Sequence, residues 1–156
     1  MRLALPILLA FAVPAVAQTY VAPTDALSPA DERKAFQLPP GFEAQLVAAE
    51  PDIGKPIQIA FDAKGRLWVT TSRHYPFPAA EGKASDKLYV LSDFGPDGKA
   101  KKITVFDDKL NIPVGILPLP DCKSCIVSSV GRIWKLTDTD DDGKADKREI
   151  LLSGFG

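Results

Sequence analysis

One block of this sequence occurs twice. Lys87-Leu88-Tyr89-Val90-Leu91-Ser92-Asp93 with Asp97-Gly98-Lys99-Ala100 aligns with Arg132-Ile133-Trp134-Lys135-Leu136-Thr137-Asp138 with Asp142-Gly143-Lys144-Ala145, at a shift of 45 residues. Pro56-Ile57 and the run Gly65 to Thr70 precede the first copy as Pro113-Val114 and Cys125 to Ser128 precede the second. A period of roughly 40 to 50 residues holding four short β-rich runs is the signature of propeller blades, whereas helical and leucine-rich repeats carry other spacings. The fold class that follows is all-β: an incomplete β-propeller with blade one over about 56–107 and blade two over about 113–153.

The turns support this reading. Asp62-Ala63-Lys64-Gly65, Pro96-Asp97-Gly98 and Asp142-Gly143 each stand between two β-rich runs, where Gly and Asp tolerate the positive φ of tight hairpins. Strands are expected at Ile57 to Phe61, Arg66 to Thr71, Lys87 to Ser92, Lys102 to Phe106, Val114 to Leu119, Cys125 to Ser129, Arg132 to Thr137 and Lys147 to Leu152. A further run, Phe42 to Ala48, is expected as an orphan strand, because a ring of roughly four to eight blades is closed by pairing such a strand with a last blade that two repeats do not supply.

Upstream of the repeats, Met1-Arg2, the apolar stretch Leu3 to Val13 and the exit Pro14-Ala15-Val16-Ala17 have the form of a secretory signal peptide, residues 1–17. The stretch is too short for a spanning helix of roughly 20 residues. The mature chain is therefore expected to be exported, periplasmic or extracellular, with no membrane span. A polar leader fills 18–41, within which Ser28-Pro29-Ala30-Asp31 opens a short helix that runs to about Phe36 before Pro39-Pro40-Gly41.

Nineteen basic against 20 acidic side chains leave a formal charge of −1, without a dense Lys/Arg block. This argues against a nucleic-acid partner.

The strongest chemical signal is Asp138-Thr139-Asp140-Asp141-Asp142-Gly143-Lys144-Ala145-Asp146. Alternating carboxylates with Gly at the sixth place wrap hard oxygen donors around a cation. The spacing also satisfies an EF-hand with Glu149 last, but strands rather than helices flank it. A calcium-binding hairpin loop is expected, with Asp138, Asp140, Asp142 and Asp146 as side-chain ligands, the Lys144 carbonyl beside them and Glu149 outside. A metal-free acidic turn is the alternative. The site would lie on the face opposite the Ser72 to Asp86 connection, since antiparallel strands reverse at each turn.

Cys122-Lys123-Ser124-Cys125 lacks the His of a haem motif, Ile126 standing in its place, and one His with two Cys cannot complete a zinc site. A local disulfide is expected in an oxidising compartment, with reduced thiols or a redox pair as alternatives. His74, the single histidine, lies in Arg73-His74-Tyr75-Pro76 within the longest loop. It is either a solvated loop residue or, with Arg73 and Tyr75, part of a substrate-facing funnel rim. Trp68 and Trp134 fall at strand positions and are expected in the core. No residue is assigned a catalytic role.

Leu38-Pro39-Pro40-Gly41-Phe42-Glu43, Ala49-Glu50-Pro51, Ile59-Ala60-Phe61-Asp62, Gly65 to Val69, Leu110-Asn111-Ile112-Pro113-Val114-Gly115 and Asp138 to Gly156 together resemble the N-terminal propeller of the exported membrane-bound dehydrogenase-like proteins of planctomycetes and verrucomicrobia. Those proteins are similar to quinoprotein glucose and sorbosone dehydrogenases. The resemblance covers nearly everything after Ser28. It implies a six-bladed ring, a pyrroloquinoline quinone over its central channel, and often a C-terminal cytochrome c domain with a haem-binding Cys-x-x-Cys-His. The histidine expected to be catalytic would fall beyond Gly156. The functional expectation is a piece of a sugar or alcohol dehydrogenase propeller that itself lacks the catalytic residues and is completed by the remainder of the ring. The alternative is a calcium-stabilised module that binds carbohydrate or protein without chemistry.

Overall fold

The computed structural model describes residues 25–155, so the expected signal peptide and the first part of the expected leader lie outside the described residues. Helix α1 covers Pro29–Ala35. Ser28 caps it by accepting the Asp31 amide at 3.2 Å, Pro29 opens the first turn, and Asp31 and Glu32 sit where the free amides favour acids. Among the described residues no helix is long and apolar enough to cross a membrane.

Eight strands follow: β1 Pro56–Phe61, β2 Leu67–Thr71, β3 Asp86–Phe94, β4 Ala100–Leu110, β5 Gly115–Pro118, β6 Ser124–Ser129, β7 Arg132–Thr137 and β8 Lys147–Ser153. They form two four-stranded antiparallel meanders, β1-β2-β3-β4 and β5-β6-β7-β8. These are two propeller blades, and they do not close into a ring. The repeat is carried by β3 and β7 with the turns that follow them, which gives the 45-residue shift a structural meaning.

One expectation is corrected. Phe42 to Ala48 forms no strand. It runs as irregular chain, donating a single cross-link to blade one, the Val47 carbonyl that accepts the Ala100 amide at 3.0 Å. Val47 and Ala48 instead pack with Ile53 over Leu67, Val69, Tyr89, Leu91 and Ala100, the face of blade one turned away from blade two. The segment buries apolar side chains without ladder pairing, and its alternating pattern cannot distinguish that from a strand.

The blades meet through Trp68, Leu88, Val90, Phe106 and Leu110 of the first and Cys125, Val127 and Leu136 of the second, all buried. Each fully buried aliphatic chain of this kind contributes roughly 1.5–3 kcal/mol. Strands β1 and β5 lie against each other. At the outer edge Arg148 of β8 bridges the wider gap, pairing with Asp107 of β4 at 2.6 Å and lying 4.8 Å over the Trp134 ring. Burial pushes the Asp107 carboxyl above its ordinary range despite that cation.

Two buried carboxylates fix the loops. Asp62 accepts the Lys64 and Arg66 amides at 2.9 Å, the Arg66 Nε at 2.7 Å and the Trp68 indole N–H at 3.0 Å. Burial opposes its charge, but these donors outweigh burial and hold its carboxyl below the ordinary range. Asp86, 2% exposed, accepts the Ser72 hydroxyl at 2.6 Å and the amides of Arg73 and Ile112 at 2.8 Å. It ties the loop after β2 to the connection between blades.

Candidate functional site

The loops sort onto two faces. On one, the Asn111 side chain clamps Ala79 through both backbone groups, at 3.0 and 2.9 Å, and its own backbone meets Ser129. This joins the Ser72 to Ser85 loop to the β6–β7 hairpin. On the other, the Arg66 guanidinium donates to the Cys122 carbonyl, the Asp138 amide to the Lys123 carbonyl at 2.9 Å, and Lys123 pairs with Asp141 at 3.2 Å. The acid-rich loop belongs to this second face.

Asp138 seeds that loop. It is 4% exposed, and its Oδ1 accepts the Asp141 amide at 2.7 Å while its Oδ2 accepts the Gly143 amide at 2.9 Å. The chain can bend back over one carboxylate because Gly143 takes φ +89° and Asp141 takes φ +67°. Carboxylate oxygens of Asp138, Asp140 and Asp142 consequently lie within 4.8 Å of one another. Of the five expected ligands the structure brings these three side chains together. Asp146 is engaged by Thr139, whose hydroxyl and amide donate at 2.5 and 3.1 Å and hold its carboxyl below the ordinary range. Lys144 reaches the cluster through its amide, on Asp142 at 2.7 Å. Glu149 stands on β8 with its carboxylate 3.2 Å from Lys147.

An all-oxygen, acid-rich donor set suits a hard divalent cation, and each Asp138 oxygen keeps a lone pair beyond its amide bond. The set fits calcium. The quinone is different: the exposed side chains on β1 and β5 include Ile57, Ile59, Phe61 and Leu117. Gln58 on β1 is the one exposed side chain of these two strands with a hydrogen-bonding group, and a single neutral amide does not by itself build a quinone site.

The expected disulfide is not formed. Cys122 and Cys125 are free thiols, both buried. Cys125 faces the inter-blade core, where burial and nearby Asp107 push its thiol up and leave it unreactive. Cys122, at φ +57°, turns to the Pro120 carbonyl at 3.6 Å.

Arg73, His74 and Tyr75 open the loop after β2. The His74 ring nitrogen Nε2 lies 3.0 Å from the Ser85 hydroxyl, the Tyr75 amide donates to Ser72 Oγ at 2.9 Å, and the Tyr75 ring is exposed. Trp68 is fully buried, whereas Trp134 is half-buried under Arg132 and Arg148. What the sequence did not show is the stapling of this face by Asp86 and Asn111. Its one trace is that Asp86 falls where the second copy has Gly131, so a long anchored loop in blade one replaces a tight turn in blade two.

A family model described as a domain of unknown function, DUF7133, matches residues 28–156. The chain belongs to this family. No curated protein matches the DUF7133 chain. Among solved structures it is similar to the iodide structure of the Trichoderma reesei Carbohydrate-Active Enzymes Family AA12 protein, at TM-score 0.52 and 16% identity over 72% of this chain and 26% of that one. The calcium structure of the same protein gives TM-score 0.50 and 17% identity over 71% and 25%. The holo form of the pyranose dehydrogenase PQQ domain from Coprinopsis cinerea gives 0.49 and 20% over 72% and 26%. At such identities the likeness to the AA12 protein is one of fold, and the DUF7133 chain spans about a quarter of the solved chains it matches.

Proposed function

We propose that this chain is part of an exported, quinoprotein-like propeller that oxidises a sugar or alcohol, with its remaining blades supplying the quinone site, the catalytic histidine and, in longer relatives, a cytochrome c acceptor. The observation that carries the reading is the pair of four-stranded blades sharing the fold of the AA12 protein over about a quarter of that protein's length. When bound, the quinone would accept the two electrons of the substrate. The residues present here contribute the scaffold: Asp86 and Asn111 hold the loop that carries Arg73, His74 and Tyr75. Two blades enclose no channel, so the chain from Gln18 onward, mixed with pyrroloquinoline quinone, calcium, a panel of sugars and an artificial electron acceptor, is expected to show no turnover, and the full-length protein to show it. Robust turnover by this chain alone would overturn the reading.

The second reading, a calcium-stabilised binding module, is favoured by the carboxylate trio Asp138, Asp140 and Asp142. In both readings the metal is structural, because its loop lies on the face opposite the Ser72 to Ser85 loop. Calorimetric titration with calcium is expected to give a binding heat at or below millimolar concentration and a weaker one with magnesium, which tolerates a flexible, crowded carboxylate loop less well. Asp140→Ala should abolish the heat and Glu149→Ala should leave it. No heat in the parent would remove the metal site, and equal loss in both variants would bring Glu149 into it.

A further inference from the structure

We infer that a second site lies beside Arg73 and Lys87, and that it binds the oxyanion of a small sugar acid or sugar phosphate. A polar cavity of about 290 Å³ opens there between the loop after β2, the start of β3 and the turn before β1, lined among others by Gly54, Thr71, Arg73, Ser85, Lys87 and Tyr89. Three separate segments of the chain thus contribute to one concavity. Both cations line it, and neither meets a carboxylate within 4.0 Å among the described residues, whose ion pairs involve other side chains.

The one acid on the wall, Asp86, does not neutralise them by direct pairing. Its oxygens are committed to the Ser72 hydroxyl and to the amides of Arg73 and Ile112, within a buried setting. Fixing the Arg73 amide also fixes where its side chain starts. The Arg73 chain runs beside the turn before β1, its Nε 3.7 Å from where a Cβ on Gly54 would stand, which is ordinary contact distance. On the other side Lys87 Nζ is held 6.0 Å above the Tyr89 ring. A planar guanidinium fork and an ammonium that border one cavity are the donors that recognise carboxylate and phosphate. The wall also carries two aliphatic hydroxyls: Thr71 and Ser85 keep acceptor lone pairs after bonding to the Lys87 carbonyl and to His74. Such groups pair with the hydroxyls of a polyol. Sugar and anion recognition therefore coincide in one place, and the inference stands on this cavity whether or not a quinone binds elsewhere.

The test is calorimetric titration of the full chain at low salt with galacturonate, galactose 6-phosphate and galactose, repeated with Arg73→Gln, Lys87→Gln and, as a control on the other face, Lys64→Gln. At least one anionic sugar should bind, galactose should not, and each cation variant should weaken binding about tenfold or more, the equivalent of losing one charge-assisted hydrogen bond. Lys64→Gln should bind as the parent does. Preference for galacturonate assigns the pocket to carboxylates, and preference for the phosphate ester assigns it to phosphates. Thermal melts confirm that the exposed substitutions leave the fold intact, and Arg73→Lys, which keeps the charge but loses the fork, should retain part of the affinity. Binding of galactose as tight as that of the anions, survival of anion binding in both cation variants, or absence of heat with all three sugars would each overturn the assignment. Those outcomes leave the turnover experiment on the full-length protein unaffected, so the two readings fail separately.

Discussion

Asp86→Ala is expected to lower the unfolding free energy of this chain by about 3–5 kcal/mol, more than any other single substitution of a polar side chain. The carboxylate is buried and receives the Ser72 hydroxyl and the Arg73 and Ile112 amides, with the His74 amide at 3.4 Å. Alanine leaves at least two of those donors without their protein acceptor, at roughly 1–3 kcal/mol each. It also releases both ends of a joint, because Arg73 begins the blade-one loop and Ile112 begins the crossing to blade two. Asp86→Asn keeps one acceptor oxygen but turns an NH₂ toward groups that also donate, so it should fall between parent and alanine. Urea unfolding followed by tryptophan fluorescence measures this, with native-state hydrogen exchange at Arg73 and Ile112 as the local readout. Since domains of this size hold only about 5–15 kcal/mol in total, a midpoint that does not move would mean the Asp86 network contributes nothing. Faster exchange confined to those two amides would show that the joint opens without global unfolding.

The joint also marks the boundary of what can be read from sequence. Strand positions were legible because Asp-Gly turns and β-rich runs are local chemistry, and each predicted strand within the repeats overlaps an observed one. The helix start was legible because Ser28, Pro29 and Asp31 act within one turn. The carboxylate trio was legible for the same reason, since Asp138, Asp140 and Asp142 are neighbours in the chain before they are neighbours in space. Asp146 was not, because its spacing fits a ligand equally well whether its oxygens are free or held by Thr139. Phe42 to Ala48 has strand composition and no strand partner, and partnership is a property of the fold. The Arg73 and Lys87 cavity is assembled from three segments, and nothing in the spacing of those segments announces that they converge.

The larger apolar effect is expected at Trp68. Its side chain is fully buried, meets Phe106 edge to face at a ring separation of 4.7 Å, and hydrogen-bonds Asp62 through the indole N–H at 3.0 Å. It therefore links three parts of the fold: the β1–β2 turn, the middle of blade one and the interface with Cys125, Val127 and Leu136 of blade two. Trp68→Ala should cost about 3–5 kcal/mol, as removal of a buried aromatic does when its neighbours collapse only partly into the space. Trp68→Phe keeps an aromatic against Phe106 and loses the donor to Asp62, which still holds the Lys64 and Arg66 amides and the Arg66 side chain. That variant should cost less, about 1.5–3 kcal/mol, the worth of one hydrogen bond to a charged group. The contrast is what makes the test informative, because a Trp68 that served as a ligand platform would tolerate alanine with little change in stability. Urea denaturation of parent and both variants, fitted with a common slope, separates the cases: a cost below about 1 kcal/mol for alanine would place the indole outside the inter-blade core.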